Sequence, residues 1–115
     1  MNKVVADLKE YGCNTESAKN RFLGDEEFYL SCVNDVLNDD AYDELKTALT
    51  AGHNREAYEA AHTLKGLTAQ LGLTSMYDIL VPISESLRSG KSDGLLPLYD
   101  SLMEEQSKIK RIIRQ

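Results

Sequence analysis

Short segments with the apolar spacing of amphipathic helices follow one another along the chain, separated by glycines and polar turns. None of the alternating, β-branched runs that are typical of strands lies between them. Because the apolar residues recur three and four positions apart, the sequence predicts an all-α protein. The connections are short, so consecutive helices are expected to pack as antiparallel neighbours.

The first third of the sequence predicts short helices. One is expected to end at Gly12 and a second at Gly24, because glycine commonly follows the last turn of a helix. Asp25 is a suitable N-cap for the third helix, which the polar cluster 38–40 interrupts or kinks. The residues predicted to share the apolar face of that third helix are Phe28, Cys32 and Val36.

The middle of the sequence predicts two further helices. Asp40 and Asp43 resemble a capping box that opens the first of them, and Gly52 closes it. Asn54 is expected to cap the next helix, which runs to Gly72. This second helix carries the residues on which a functional interpretation depends.

Two longer helices are predicted for the last third, one from Thr74 or Ser75 to Gly90 and one from about Leu95 to Ile113. Pro82 lies inside the first of these, where a proline removes a hydrogen bond and bends the helix. We predict a single domain over residues 1–115.

Composition and charge exclude several classes of function. The chain has 13 basic and 19 acidic residues, a formal charge of −6, and no basic run that would neutralise a nucleic-acid backbone. No apolar stretch approaches the roughly 20 residues that cross a bilayer. Residues 1–15 mix charged and apolar groups, unlike a secretory signal. We expect a soluble, cytoplasmic protein that binds neither nucleic acid nor membrane, and the helix close behind Met1 suggests an independent product.

The cysteines and one of the histidines receive structural interpretations. Cys13 is interpreted as a loop thiol and Cys32 as a small core residue, with no disulfide between them. His53 beside Gly52 is interpreted as a loop or cap residue. Nothing pairs it with His62, and we expect no metal site.

The helix that begins near Asn54 places His62 on its outer surface. At about 100° per residue, His62 points nearly opposite the core sector, in the same direction as Tyr58, Gly66 and Ala69, with Lys65 roughly 60° away. His62 is therefore predicted to be exposed. The residues predicted to form the core sector are Ala57, Ala60, Ala61, Leu64, Leu67, Thr68 and Leu71.

These outward residues suit phosphoryl chemistry. A neutral imidazole nitrogen is a nucleophile, and the ammonium group of Lys65 would stabilise the charge of a phosphoryl group. Gly66 costs about 1 kcal/mol relative to alanine in an exposed helix and gains nothing there from packing. Together with Ala69, it keeps the surface beside His62 low, so that a flat or convex partner can reach the imidazole.

The run His62-Thr63-Leu64-Lys65-Gly66, followed after five residues by Gly72, resembles the H-x-L-K-G-x5-G signature of histidine-phosphotransfer domains. The resemblance covers roughly residues 16 to 91. Ala60-Ala61 before the histidine and Leu87-Arg88-Ser89-Gly90 after the next helix add to it.

The resemblance implies an antiparallel four-helix bundle over residues 25–115, with additional short helices over 1–24. It implies a phosphoacceptor at His62, supported by Lys65 and Gly66, in a phosphorelay of a two-component regulatory system. Gln70 stands where many members of the family have asparagine. Ser84 or Glu85 on the next helix is a further candidate to approach the imidazole.

On this interpretation the chain is a phosphocarrier for signal transduction and not an enzyme. It needs no cofactor, because the partner receiver supplies the catalytic aspartate and Mg²⁺. The implied partners are receiver domains of response regulators and of hybrid histidine kinases, and the protein is expected to be a monomer. We hypothesise that Tyr58, Ala69 and Leu73 contact the receiver.

Two other functions remain open at the level of sequence. A helical module could bind and regulate a receiver or a histidine kinase without transferring a phosphoryl group. A phosphatase acting on receivers could use Gln70 to orient water. A binding module has no need for His62, Lys65 and Gly66 together, and this favours the carrier.

Overall fold

The computed structural model describes residues 2–115, which form seven helices and no strand. These helices confirm the all-α prediction. Met1, at which the predicted domain begins, lies outside the described residues. The helices are α1 (Lys3–Glu10), α2 (Thr15–Arg21), α3 (Glu26–Leu37), α4 (Ala41–Ala51), α5 (Asn54–Gln70), α6 (Thr74–Arg88) and α7 (Leu95–Ile113).

Helix α5 lies between α4 and α6, and α7 packs against α6 while also contacting α1, α3 and α4. One apolar core draws on side chains from every helix. The described residues occupy an elongated volume of 44 × 23 × 20 Å. Among them, no helix is both long and apolar enough to pass through a bilayer.

Several predicted helix ends are confirmed. Asp25 caps α3, because its Oδ1 accepts a hydrogen bond of 3.0 Å from the backbone amide of Phe28. Gly52 follows α4 in the left-handed region at φ 74°. The amide of His53 then donates to the Ala48 carbonyl at 2.9 Å, which satisfies one of the last carbonyls of α4.

The predicted capping box at Asp40 and Asp43 is wrong. Asp40 has helical backbone angles, φ −66° and ψ −16°, whereas a capping side chain needs an extended backbone to reach the first free amides. The side chain of Asp39 takes this role instead, and its Oδ1 accepts from the Ala41 amide at 2.8 Å. The side chain that caps α4 therefore comes from Asp39, one residue before the predicted Asp40.

The predicted cap at Asn54 is also wrong. Asn54 is the first residue of α5, and His53 occupies the capping position without a side-chain hydrogen bond. One residue inside the helix, the Asn54 side chain cannot turn back to its amides. Its Nδ2 donates to the carbonyl of Gly90 at 3.1 Å and ties the start of α5 to the end of α6.

The apolar face predicted for α3 is confirmed at Val36 but is wrong at Phe28, and Cys32 is only half-buried. Phe28 is 55% exposed and packs edge-on against Phe22, with ring centroids 5.4 Å apart. Leu23 and Gly24 form the turn before α3, so the helix enters the core with Tyr29 rather than Phe28. The side chains that α3 buries are Tyr29, Val33, Val36 and Leu37.

The prediction that Cys13 lies in a loop is confirmed, but its side chain is buried, and Cys32 is less buried than predicted. Both are free thiols, as predicted, but Cys13 in the α1–α2 loop is buried and Cys32 is half-buried. The loop turns inward because the Cys13 amide donates to the Leu8 carbonyl at 3.0 Å. Burial raises the pKa of the Cys13 thiol to about 11, so this sulfur is a packing group.

Helix α6 contains Pro82, as predicted, and the helix continues through this exposed residue to Arg88.

Candidate functional site

Helix α5 separates an inner face of small and apolar residues from an outer face that carries His62. The side chains that α5 buries are Ala57, Ala60, Ala61, Leu64 and Thr68. His62, Gly66 and Ala69 are exposed, as the helical projection predicts. Leu67 is only half-buried at the edge of the predicted core sector. The imidazole is therefore open to a partner.

Tyr58 stacks on His62. The two rings lie one helical turn apart, with centroids separated by 5.7 Å and planes inclined by 18°. Tyr58 is itself half-buried against the core, and its ring packs beside the imidazole. The two near-parallel rings are offset from each other, and the His62 side chain is exposed beside Tyr58. The sequence placed these residues near each other but carried no signal for the stacking.

From His62 toward the C-terminus of α5, the outer face of the helix carries small residues. A Cβ atom built on Gly66 would meet nothing within 4 Å apart from its own helix, so no packing contact requires a glycine at this position. Ala69 continues the exposed strip, and Lys65 is half-buried at its side. A partner that reaches the imidazole meets no large side chain in this direction along α5.

The end of α5 is held by the N-terminal third of the chain, which the sequence did not predict. Carbonyl groups at a helix C-terminus have no partner within the helix, and three successive carbonyls here accept hydrogen bonds from outside it. The donors are Arg21 Nη1 to Gln70 at 2.9 Å, Tyr29 Oη to Leu71 at 2.7 Å, and the Asn14 amide to Gly72 at 2.8 Å. The guanidinium of Arg21 also complements the negative end of the helix dipole.

The hypothesis that Leu73 contacts the receiver is wrong, because it needs an exposed side chain. Leu73 has no accessible surface. The projection assumed a continuous helix, but α5 ends at Gln70 and Gly72 turns the chain at φ 69°. The Leu73 amide then donates to the Thr68 carbonyl at 2.9 Å, and its side chain enters the core. Gln70, in contrast, is exposed near the end of the His62 face.

The candidates on α6 are not hydrogen-bonded to the imidazole within the described residues. Ser84 is buried, and Glu85 accepts a hydrogen bond of 3.0 Å from Arg88. Within residues 2–115, no hydrogen bond joins either residue to His62. His53, at the N-terminus of α5, lies about 13 Å from His62 along the helix axis, given the rise of 1.5 Å per residue.

The site is thus an exposed imidazole, packed beside an aromatic ring and next to an ammonium group and a low surface. Over residues 2–115, no group of three or more His, Cys, Asp or Glu side chains is arranged to hold a metal ion. Comparison with models of protein families, with curated proteins and with solved structures found no match.

Proposed function

We propose that this chain is a histidine-containing phosphocarrier of a multistep phosphorelay. His62 accepts a phosphoryl group from the aspartate of one receiver domain and donates it to another. The observation that supports this most directly is the exposed His62 imidazole, which packs beside Tyr58 and is flanked by Lys65 and Gly66 in the order of the histidine-phosphotransfer signature.

The proposal extends to the architecture. Helices α4, α5, α6 and α7 would form an antiparallel four-helix bundle, with α1, α2 and α3 packed at its side. Contacts between α4 and α5, α5 and α6, and α6 and α7, closed by contacts between α4 and α7, support this arrangement. The short connections between these helices also favour it.

In the proposed transfer, a neutral nitrogen of His62 attacks the phosphorus of an aspartyl phosphate. The new N–P bond forms as the P–O bond to the aspartate breaks, the carboxylate is restored, and the imidazole releases its proton to water. Such a step needs in-line positioning and charge neutralisation. Tyr58 fixes the imidazole, Lys65 stabilises the phosphoryl oxygens, and the Mg²⁺ of the receiver neutralises charge on the partner's side.

The test is transfer of label from a panel of phosphorylated receiver domains. The wild-type chain is expected to gain acid-labile, base-stable label from at least one receiver, and His62→Gln is expected to gain none. His53→Gln is the matched control, because it removes the other of the 2 histidines and should be labelled like the wild type. A chain that binds receivers without gaining label would instead be a regulatory binding module.

A further inference from the structure

A cleft of about 230 Å³ lies beside the His62 face, between α2 and the C-terminal end of α5. Ala69 belongs both to this cleft and to the exposed strip that begins at His62. The cleft could not be predicted from the sequence, because α2 and α5 are distant in the chain. Besides Ala69, its lining includes Asn14, Ser17, Arg21, Thr74 and Tyr77.

The chemistry of the cleft differs from that of the chain as a whole. The chain has a formal charge of −6, yet no carboxylate lines this cleft and an arginine does. Arg21 is exposed, and one of its guanidinium nitrogens, Nη1, donates to the Gln70 carbonyl. A guanidinium has five N–H groups in a planar fork that matches a carboxylate. Arg21 can therefore hold a carboxylate while keeping its bond to Gln70.

The cleft is close enough to His62 for one bound partner to cover both. Ala69 lies two helical turns from His62, about 10 Å along the axis of α5. A standard protein interface covers about 800 Å² on each side, which corresponds to a disc of about 16 Å radius. Between His62 and the cleft, the outer face of α5 carries the small residues Gly66 and Ala69. A partner that contacts the imidazole can therefore also reach the cleft at Ala69, which Arg21 lines as well.

We propose that this cleft is a second contact area for the phosphoryl partner, in which Arg21 pairs with a carboxylate of the receiver. The inference rests on the proposed function and adds a binding determinant outside the histidine motif. Lys65 and Arg21 would place positive charge beside His62 and at the far end of the strip, so the surface fits a partner whose facing side is acidic. Such charges set partner choice and the rate of association.

The test uses the receiver that labels the wild-type chain most rapidly, with the rate of transfer measured against receiver concentration. Arg21→Glu is expected to raise KM about tenfold or more, because an attractive pair becomes a repulsive one, and to leave kcat within about twofold. Arg21→Lys keeps the charge but not the planar fork, so it should restore only part of the affinity. Arg114→Glu, an exposed residue at the end of α7, makes the same charge change away from the cleft and should leave KM unchanged.

The outcomes separate this inference from the proposed function. Wild-type KM for Arg21→Glu, in a chain that transfers normally, overturns the docking role of the cleft and leaves the carrier intact. Equal loss of thermal stability in Arg21→Glu and Arg21→Lys, with a fall in kcat at unchanged KM, would assign Arg21 to holding α5 and also overturn it. If no receiver labels the wild-type chain, the carrier function fails and the inference fails with it.

Discussion

The backbone amide of Asn14 donates a hydrogen bond of 2.8 Å to the carbonyl of Gly72, and the two backbones are in direct contact. A Cβ atom on Gly72 would collide with the Asn14 carbonyl group. The second glycine of the histidine motif therefore has a structural role here. It lets the α1–α2 loop approach the end of the helix that carries His62.

This contact predicts that Gly72→Ala is strongly destabilising. The residue has φ 69°, which costs a side chain about 1 to 2 kcal/mol, and the collision adds about 1 to 3 kcal/mol. Gly52→Ala is the matched control, since Gly52 has φ 74° but open space around it. Urea unfolding should show a clearly larger loss for Gly72→Ala, and equal losses would refute the role of the Asn14 contact.

The helical projection was accurate for the centre of the outer and inner faces of α5, less so at their edges, where Tyr58 and Leu67 are half-buried, and it failed beyond the helix. His62, Gly66 and Ala69 point outward as predicted because one regular helix determines their directions. Leu73 was misplaced because the projection continued through Gly72, where the chain turns.

Substitutions at Gly66 are expected to affect the stability of the fold and the rate of phosphoryl transfer in different ways. Because a Cβ at this exposed helical position would meet no other atoms, Gly66→Ala is expected to stabilise the fold by about 0.5 to 1 kcal/mol. Gly66→Gln should also stabilise it, but its long side chain would rise beside His62 and slow transfer from a receiver. Thermal unfolding and transfer rates measured on both variants check this. Wild-type transfer by Gly66→Gln would show that the low surface is not needed.

Two buried tyrosines should respond in opposite ways to loss of the hydroxyl. Tyr29→Phe removes the bond to the Leu71 carbonyl and is expected to cost about 1 to 2 kcal/mol, because a buried acceptor loses its partner. The Tyr42 hydroxyl is buried and finds no hydrogen-bond partner among residues 2–115. Tyr42→Phe should therefore be neutral or slightly stabilising. Chemical denaturation of the two variants compares them directly, and similar losses would contradict this assignment.

The contact between Tyr11 and Glu105 should make stability depend on pH. The Tyr11 hydroxyl donates to Glu105 Oε1 at 2.6 Å. Burial alone would raise the pKa of Glu105, but hydrogen bonds to its carboxylate, the largest of them from Tyr11, outweigh burial and lower this pKa below its ordinary value of 4.5. Because the folded pKa is the lower one, the stabilisation is present above the ordinary value and is lost as the pH falls through the folded pKa.

Tyr11→Phe is accordingly expected to be less stable than the wild type at pH 7, by about 1 to 2 kcal/mol. The difference should shrink as the solution is acidified and Glu105 gains its proton. Urea unfolding at a series of pH values measures this. A difference that stays constant down to about pH 2 would show that the Tyr11 hydroxyl does not act through the Glu105 carboxylate.

The contacts that the sequence did not reveal join distant parts of the chain. Arg21 and the Gln70 carbonyl are separated by 49 positions, and a surface arginine in a short helix carries no local signal of such a partner. The stacking of Tyr58 on His62 is local, but it depends on side-chain rotation, which spacing alone does not determine. The directions of His62, Gly66 and Ala69 on α5 were predictable from the sequence, whereas the face of α3 and the contacts between distant residues were not.

The most direct test of the carrier function follows the phosphoryl group away from His62. The labelled chain is purified, mixed with a second, unphosphorylated receiver and Mg²⁺, and the label is followed by mass spectrometry at His62 and at the receiver aspartate. The proposed function predicts that His62 loses the label as the aspartate gains it. Label that stays on His62, or that appears only as inorganic phosphate, would contradict a carrier.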